Sequence, residues 1–372
     1  MSPNFKVLHV IETLGRGGAE QVLLTMLPEL VRQGVAAEVA VQRAPLDLAA
    51  DLRSLGIPVH VLPKRHKWAL WGAARDLTRL AQEREVQVIH AHLYFPTIIA
   101  GLARWSKLFG GTTFASFHNL AYSGANAKGF KLAVRRVLAA AIVRHGIDQP
   151  QAVSQASANH FAETYGLENV AVVHNAIDLE KIKAPDADAP DKNSAAIVLP
   201  GRLVPEKGHL DLIAALRLLK NSYSEVIFAG DGPLRMRLEE EIRAAGLPIR
   251  ITGQLEHSEM LATMAAARLV VIPSRYEGFG LTALEALALG RPVVASTAGG
   301  LPEVLGDLGQ QVSPGVPYAL AEALDAALID HEWAHAQETA GPVRAEKFAA
   351  SAIAAHQISL YRKTHVLRKR SK

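Results

Sequence analysis

Short apolar runs alternate with amphipathic segments along almost the whole chain. In the first half, Val7–Ile11, Glu38–Gln42, Val59–Leu62, Val86–His90, Thr113–Phe117 and Gln151–Ser154 read as strands. Runs of four to six apolar residues bounded by turn residues are too short for helices and fit buried strands. Between them, Gly15–Gly18 reads as a turn, Ala19–Gln33 as a helix interrupted by Pro28, and Trp68–Arg84 as a second helix. The pattern pauses at Lys183–Ser194, which carries two prolines, three aspartates and no large apolar residue. Such a segment reads as a linker. The alternation then restarts, with strands at Ala196–Leu199, Glu225–Ala229, Arg250–Thr252, Leu269–Ile272 and Pro292–Ser296 and helices such as Leu210–Lys220 and Leu234–Ala245.

Strands alternating with helices predict parallel sheets covered on both faces. The expected fold class is therefore α/β, with two Rossmann-like doubly wound domains at residues 1–182 and 195–344. Residues 183–194 would join them. The segment 345–372 reads as a C-terminal helix, centred on about Ala345–Lys363 and expected to pack back on the N-terminal domain. In doubly wound sheets ligands sit beyond the carboxyl ends of the strands, so two such domains facing across a cleft can share one ligand.

Composition narrows the chemistry. Apolar residues make up 49% of the 372 residues and charged residues 20%, enough to fill two cores. The absence of cysteine excludes disulfides and thiolate chemistry and fits a reducing compartment. The first apolar run is too short for a signal-peptide core, and no stretch approaches the ~18 apolar residues that span a bilayer. A soluble, cytoplasmic protein is expected, with peripheral contact to the inner face of a membrane as an added expectation.

Four places carry candidate chemistry. The first is Pro273-Ser-Arg-Tyr-Glu277-Gly-Phe-Gly280-Leu-Thr-Ala-Leu-Glu285, a loop with two glycines between a buried strand and a helix. Glycine lets backbone approach a ligand, and a helix start offers unpaired N–H groups to an anion. Glu277 and Glu285 can each accept hydrogen bonds from vicinal hydroxyls, which suits ribose and hexose. The second is Gly201-Arg202-Leu-Val-Pro-Glu-Lys207-Gly208, directly after a strand. Its two cations can neutralise a diphosphate. The third is Gly15-Arg-Gly17-Gly18-Ala-Glu20, which resembles a dinucleotide fingerprint except that Glu20 stands where the third glycine belongs. A Rossmann oxidoreductase is thereby disfavoured. The fourth is His118, at the end of a strand facing the expected cleft.

The segment Glu277–Glu285 resembles the Glu-x7-Glu signature of the family-4 retaining glycosyltransferases, which have the two-domain GT-B fold. The likeness covers nearly the whole chain, because the other motifs fall in the expected order. It implies that Glu285 binds the donor ribose and that Glu277 contacts the transferred sugar. Backbone N–H groups of Phe279, Gly280, Leu281 and Thr282 would hold sugar and phosphate. Arg202 and Lys207 would hold the pyrophosphate, and Gly17 and Gly18 would close on the donor. Gly230 follows another strand, and Gly253 and Gln254 lie where family members contact the base. His118, Arg202, Lys207 and Glu277 form the expected catalytic set. The acceptor side would comprise His118, Asn119, Ser154 and Asn175. Family members often carry aspartate where this chain has Asn119, which removes a negative charge there. No Asp-x-Asp motif marks a strand end, so no metal and no cofactor is expected; the nucleotide-sugar is a substrate.

Charge is lopsided from Lys64 to Arg144, where thirteen lysines and arginines meet three carboxylates, with Trp68, Trp71, Trp105, Phe109 and Phe130 interleaved. Such a flank suits an anionic bilayer surface that delivers a lipid-linked acceptor. A solvated basic face with its tryptophans in the core is the competing reading. Nucleic acid is not expected, since no recognition module accompanies the charge. The functional expectation is a metal-independent retaining hexosyltransferase. It would move a hexose or N-acetylhexosamine from a nucleotide diphosphate sugar, UDP- before GDP-, to a glycan or lipid-linked acceptor in polysaccharide or lipopolysaccharide synthesis. A GT-B sugar-nucleotide epimerase and a catalytically silent nucleotide-sugar-binding protein are the alternatives.

Overall fold

The computed structural model describes residues 5–15, 17–63, 66, 69–118, 130–182 and 196–370. The linker at 183–194 and Asn119 lie outside them. The chain folds as two compact units, Met1–Ala176 with Ala350–Lys372, and Ile177–Ala349.

The first unit holds seven strands: β1 (Phe5–Ile11), β2 (Val35–Val41), β3 (Val59–Val61), β4 (Val88–His92), β5 (Thr112–Phe117), β6 (Gln149–Ala152) and β7 (Ala171–Val172). They pair in parallel in the order β3-β2-β1-β4-β5-β6-β7. The second unit holds β8 (Ile197–Pro200), β9 (Val226–Ala229), β10 (Ile249–Ile251), β11 (Leu269–Ile272), β12 (Val293–Ser296) and β13 (Gln310–Val312), ordered β10-β9-β8-β11-β12-β13 and again all parallel. Every residue of β8, β9, β11 and β12 is buried, as expected for parallel strands covered on both faces. In each sheet the winding reverses beside the first strand, between β1 and β4 and between β8 and β11. At such a switch point the loops leaving neighbouring strands diverge and open a crevice at the carboxyl edge.

Three local expectations are corrected. Pro28 does not interrupt the first helix, which runs unbroken over Gly18–Arg32. Its flanking apolar residues, Met26, Leu27 and Leu30, are buried, and that packing outweighs the hydrogen bond the proline lacks. The strand expected at Val86–His90 lies two residues later, so that His92 belongs to it. The final helix does not begin near Ala345: one helix spans His331–Ala345, a 3-10 turn covers Glu346–Phe348, and a new helix runs Ala350–Arg370. Phe348 is 3% exposed and meets Phe279 edge-on, 5.6 Å between centroids, which pins the break inside the second unit. Beyond it, Ala354, Ile358 and Tyr361 enter the core of the first unit with Val7, Leu27 and Phe114.

Candidate active site

In the second unit, the two segments expected to carry chemistry leave the two strands that flank the switch point. Gly201 follows β8 with φ +137°, and Arg202 beyond it is exposed. Pro205–Lys207 forms a 3-10 turn closed by Gly208 at φ +73°. A Cβ on Gly208 would overlap the carbonyl oxygen of Pro273, so this turn lies directly against the loop that leaves β11. The loop is tied there by Arg275, whose N–H donates to the Glu206 carbonyl (2.8 Å). Its guanidinium forks onto the Asp211 carboxylate at 2.7 and 2.6 Å. The result is a fixed pair: Lys207 Nζ donates to Glu277 Oε2 at 2.7 Å, and Ser274 Oγ donates to the same oxygen at 3.3 Å. Both charged side chains are largely buried, at 23% and 14% exposure.

Arg275 and Asp211 were not among the residues expected from sequence. Their spacing of 64 positions gives no local signal, and only the contact of two strand-end loops brings them together. Arg275→Ala leaves a buried carboxylate without its fork. An expected loss of ~2 kcal/mol should appear as a lower urea midpoint at unchanged slope.

The loop ends at Gly280, which caps the helix Leu281–Ala288 with φ +106° and no side-chain cap. No acidic residue occupies the first turn, and the first N–H groups of a helix, here Leu281 and Thr282, have no intrahelical acceptor, which makes this start an anion-binding end. The Phe279 side chain is buried beneath them. Glu285 sits one turn into the helix and accepts from His257, Oε1 to Nε2 2.8 Å. That bond holds the His257 imidazole above its ordinary pKa. His257 also escaped the sequence reading. The remaining glycines mark close backbone approach. Gly230 follows β9 at φ +156°, where a Cβ would overlap the Gly201 carbonyl, and its N–H donates to Thr252 Oγ1 at 3.2 Å. Gly253 follows β10 at φ +78°, with Gln254 exposed beside it.

In the first unit, Gly17 caps the helix that starts at Gly18, and the Glu20 carboxylate folds back against Gly17 while accepting from Thr13 Oγ1 at 3.1 Å. A carboxylate thus occupies the helix end that a dinucleotide pyrophosphate would need. Ser154 works as a helix cap, its Oγ accepting from the Ser157 N–H at 3.1 Å. Asn175 is buried beyond β7. His118 directly follows β5 and is 9% exposed, with Nε2 3.1 Å from His92 Nδ1. His92 Nε2 in turn lies 3.0 Å from His9 Nδ1. Burial lowers His118 to about 4 and His9 to about 3, and places His90 and His92 well below the usual histidine range. His9, His90 and His92 were missed. The alternation in Ile-His-Ala-His was the available signal, since it puts both histidines on one face of a strand.

The basic flank is less uniform than its composition. Arg84 pairs with Glu38 at 2.9 Å, and Arg104 with Asp148 at 3.2 Å. Trp71 and Trp105 are 56% and 48% exposed rather than in the core, whereas Phe109 is buried. Trp68 lies outside the described residues.

Two family models match. Glycosyltransferase Family 4 covers residues 16–181 and Glycosyl transferases group 1 covers residues 180–344, so that together they run almost from end to end. The chain belongs to this glycosyltransferase family. Among its relatives, the alpha-D-kanosaminyltransferase of Streptomyces kanamyceticus is 27% identical over 95% of this chain and 97% of that protein. The glycogen synthase of Mycobacterium tuberculosis is 37% identical over 171 residues, 44% of this chain and 41% of that enzyme. The chain therefore matches less than half of that synthase's length. The structure of HepE from Anabaena, in complex with UDP and glucose, superposes with a TM-score of 0.82 at 23% identity, over 97% of this chain and all of that one. The two-unit α/β architecture is that of the GT-B glycosyltransferases.

Proposed function

We propose that this family member is a retaining hexosyltransferase that takes a hexose or N-acetylhexosamine from a nucleotide diphosphate sugar, UDP- before GDP-. The observation that carries the reading is the Lys207–Glu277 pair beside the uncapped start of helix Leu281–Ala288, with Glu285 one turn on. A cation, a carboxylate and the uncapped N–H groups of a helix start together match a phosphate joined to a polyhydroxylated ring. The Anabaena neighbour holds UDP-glucose, which supports a uridine donor.

In this reading Glu285 binds the ribose through the oxygen that His257 leaves free, and Glu277 binds a hydroxyl of the transferred sugar. Arg202, Lys207 and the N–H groups of Leu281 and Thr282 bind the diphosphate. The acceptor hydroxyl attacks the anomeric carbon on the face the leaving group departs from. The bond from that carbon to the phosphate oxygen breaks, a bond to the acceptor oxygen forms, and the acceptor proton passes to a phosphate oxygen of the leaving nucleotide. Charge grows on the diphosphate in this transition state, so fixed cations accelerate the step. These cations stand where other transferases use a metal, and the reading needs none. The first unit, with His118, takes the acceptor. The exposed Trp71 and Trp105 among Arg75, Arg79, Lys107 and Arg136 support an anionic membrane surface and hence a lipid-linked acceptor of the cell envelope.

A thermal-shift screen of UDP-, GDP- and ADP-sugars tests the donor assignment. A UDP-sugar is expected to raise the unfolding temperature most, and Glu285→Ala is expected to weaken its binding by roughly 10- to 100-fold, the value of one or two charge-assisted hydrogen bonds. Equal affinity in that variant would remove Glu285 from the donor site.

A further inference from the structure

Four histidines meet at the switch point of the first sheet, and they divide into two separate circuits. His90 is fully engaged. Its Nδ1 lies 2.5 Å from the Tyr361 hydroxyl and its Nε2 2.7 Å from Ser116 Oγ, which also accepts from Gln151 Nε2 at 2.9 Å. This circuit ties the helix Ala350–Arg370 to the sheet. The other three rings form an open line: His9 Nδ1 to His92 Nε2 at 3.0 Å, and His92 Nδ1 to His118 Nε2 at 3.1 Å. Its two ends, His9 Nε2 and His118 Nδ1, are buried and have no hydrogen-bond partner among the described residues.

A neutral imidazole has one N–H and one lone pair. Three neutral rings in line can satisfy both links in only two ways. Either every Nδ1 carries the proton, or every Nε2 does. The first choice leaves a lone pair at His9 and an N–H at His118. The second leaves an N–H at His9, which is 2% exposed in the middle of β1, and a lone pair at His118. Each choice thus leaves one N–H and one lone pair without a partner among the described residues, and because the N–H is the costlier of the two to leave unmade, where it falls decides between them. The first choice puts the only unpaired N–H at the carboxyl end of β5, where ligands of such sheets bind.

We propose that His9 and His92 are positioning residues for His118: the line His9–His92–His118 locks His118 as the neutral Nδ1–H tautomer, so that Nδ1 donates to an oxygen of the bound acceptor. The part of this inference that concerns substrate rests on the glycosyltransferase reading above; the tautomer lock does not. A metal is the competing use, because nitrogens of His9, His90 and His92 lie within 4.8 Å of one another. Against it, both nitrogens of His90 are already held by hydroxyls, and the His9–His92 link would have to break.

Two-bond 1H–15N correlation spectra of 15N-histidine-labelled full-length protein at pH 7, without substrate, test the lock directly, with His118→Gln assigning the His118 signals. Wild type is expected to show His118 as Nδ1–H. His92→Leu is expected to return it to Nε2–H, the form free imidazole prefers. His92→Asn, whose amide N–H can donate to His118 Nε2, is expected to restore Nδ1–H. In transfer assays His92→Leu should lower kcat by ~10²-fold with donor KM little changed, and His92→Asn should recover part of that loss. Three results would overturn the proposal: an Nε2–H form in wild type, an Nδ1–H form persisting in His92→Leu, or added zinc shifting His9, His90 and His92 together. If the spectra behave as expected while wild type transfers no sugar, the lock stands and the transferase reading falls.

Discussion

Replacing Arg202 and Lys207 together by alanine is expected to abolish sugar transfer, with a loss of at least ~10⁴ in kcat/KM. In the proposed site each cation would face the place where diphosphate charge develops, and removal of one such preorganised donor typically costs ~10²–10³ in rate. Two that act on the same leaving group should cost about the product or somewhat less, since their effects are coupled. Lys207 has a second duty that the double variant also removes. It neutralises Glu277 at 2.7 Å, and without it that partly buried carboxylate loses its cation and keeps the longer bond from Ser274. Thermal unfolding of the variant separates the two effects: a folded protein that still melts cooperatively but does not turn over confirms the catalytic loss. Near-normal turnover would remove both residues from the leaving-group site.

The second large effect is acid lability concentrated in the first unit. His9, His90, His92 and His118 are buried and neutral in the fold, each with its pKa depressed below the ordinary 6.5. Below pH 6.5 the unfolded chain takes up protons there and the folded unit does not, so stability falls as pH falls. The loss continues until the folded groups titrate, at about 4 for His118 and about 3 for His9. Each such histidine costs at most about 1.4 kcal/mol per pH unit, and four together approach ~4 kcal/mol between pH 6.5 and 5.5. A domain stability of ~5–15 kcal/mol is then largely spent near pH 5. In the second unit His209 is likewise buried and lowered to about 4, one such group against four, while His257 works in the opposite sense. Its pKa is raised by Glu285, so its contribution is complete below 6.5 and is lost as pH rises through the raised value. Hydrogen exchange measured from pH 7.5 to 5.5 should show protection collapsing in β1, β4 and β5 while β8 and β11, with His209 alone beside them, lose far less. Equal protection loss in both units would contradict the assignment of neutral, buried histidines.

Much of this architecture is legible in the sequence because parallel strands buried on both faces are nearly continuous apolar runs. Leu269–Ile272 is such a run, and its bounds in the structure are the ones the pattern predicts. Two of the four edge strands were not legible. Gln310–Val312 is mostly polar and β7 has two residues, so neither stands out from a loop. The break at Glu346–Phe348 was hidden as well, because it depends on Phe348 finding Phe279, a contact 69 positions away in sequence. Local motifs placed Lys207, Glu277 and Glu285, since each follows a strand end with glycines beside it. Their partners were hidden. Asp211, Arg275 and His257 act across neighbouring strand-end loops, and His9 reaches His92 only through the parallel pairing of β1 with β4.

The central claim is that the pair of glutamates, with the cations beside them, serves transfer with retention of configuration. One measurement meets it most directly. The full-length protein is incubated with the α-linked nucleotide sugar that binds best and a panel of glycan and lipid-linked acceptors, and the anomeric configuration of the product is followed by 1H NMR. An α-linked product that appears with wild type and is lost in the Arg202→Ala, Lys207→Ala double variant is the predicted result. A β-linked product, an epimerised donor formed without acceptor, or tight donor binding with no transfer to any acceptor would contradict it.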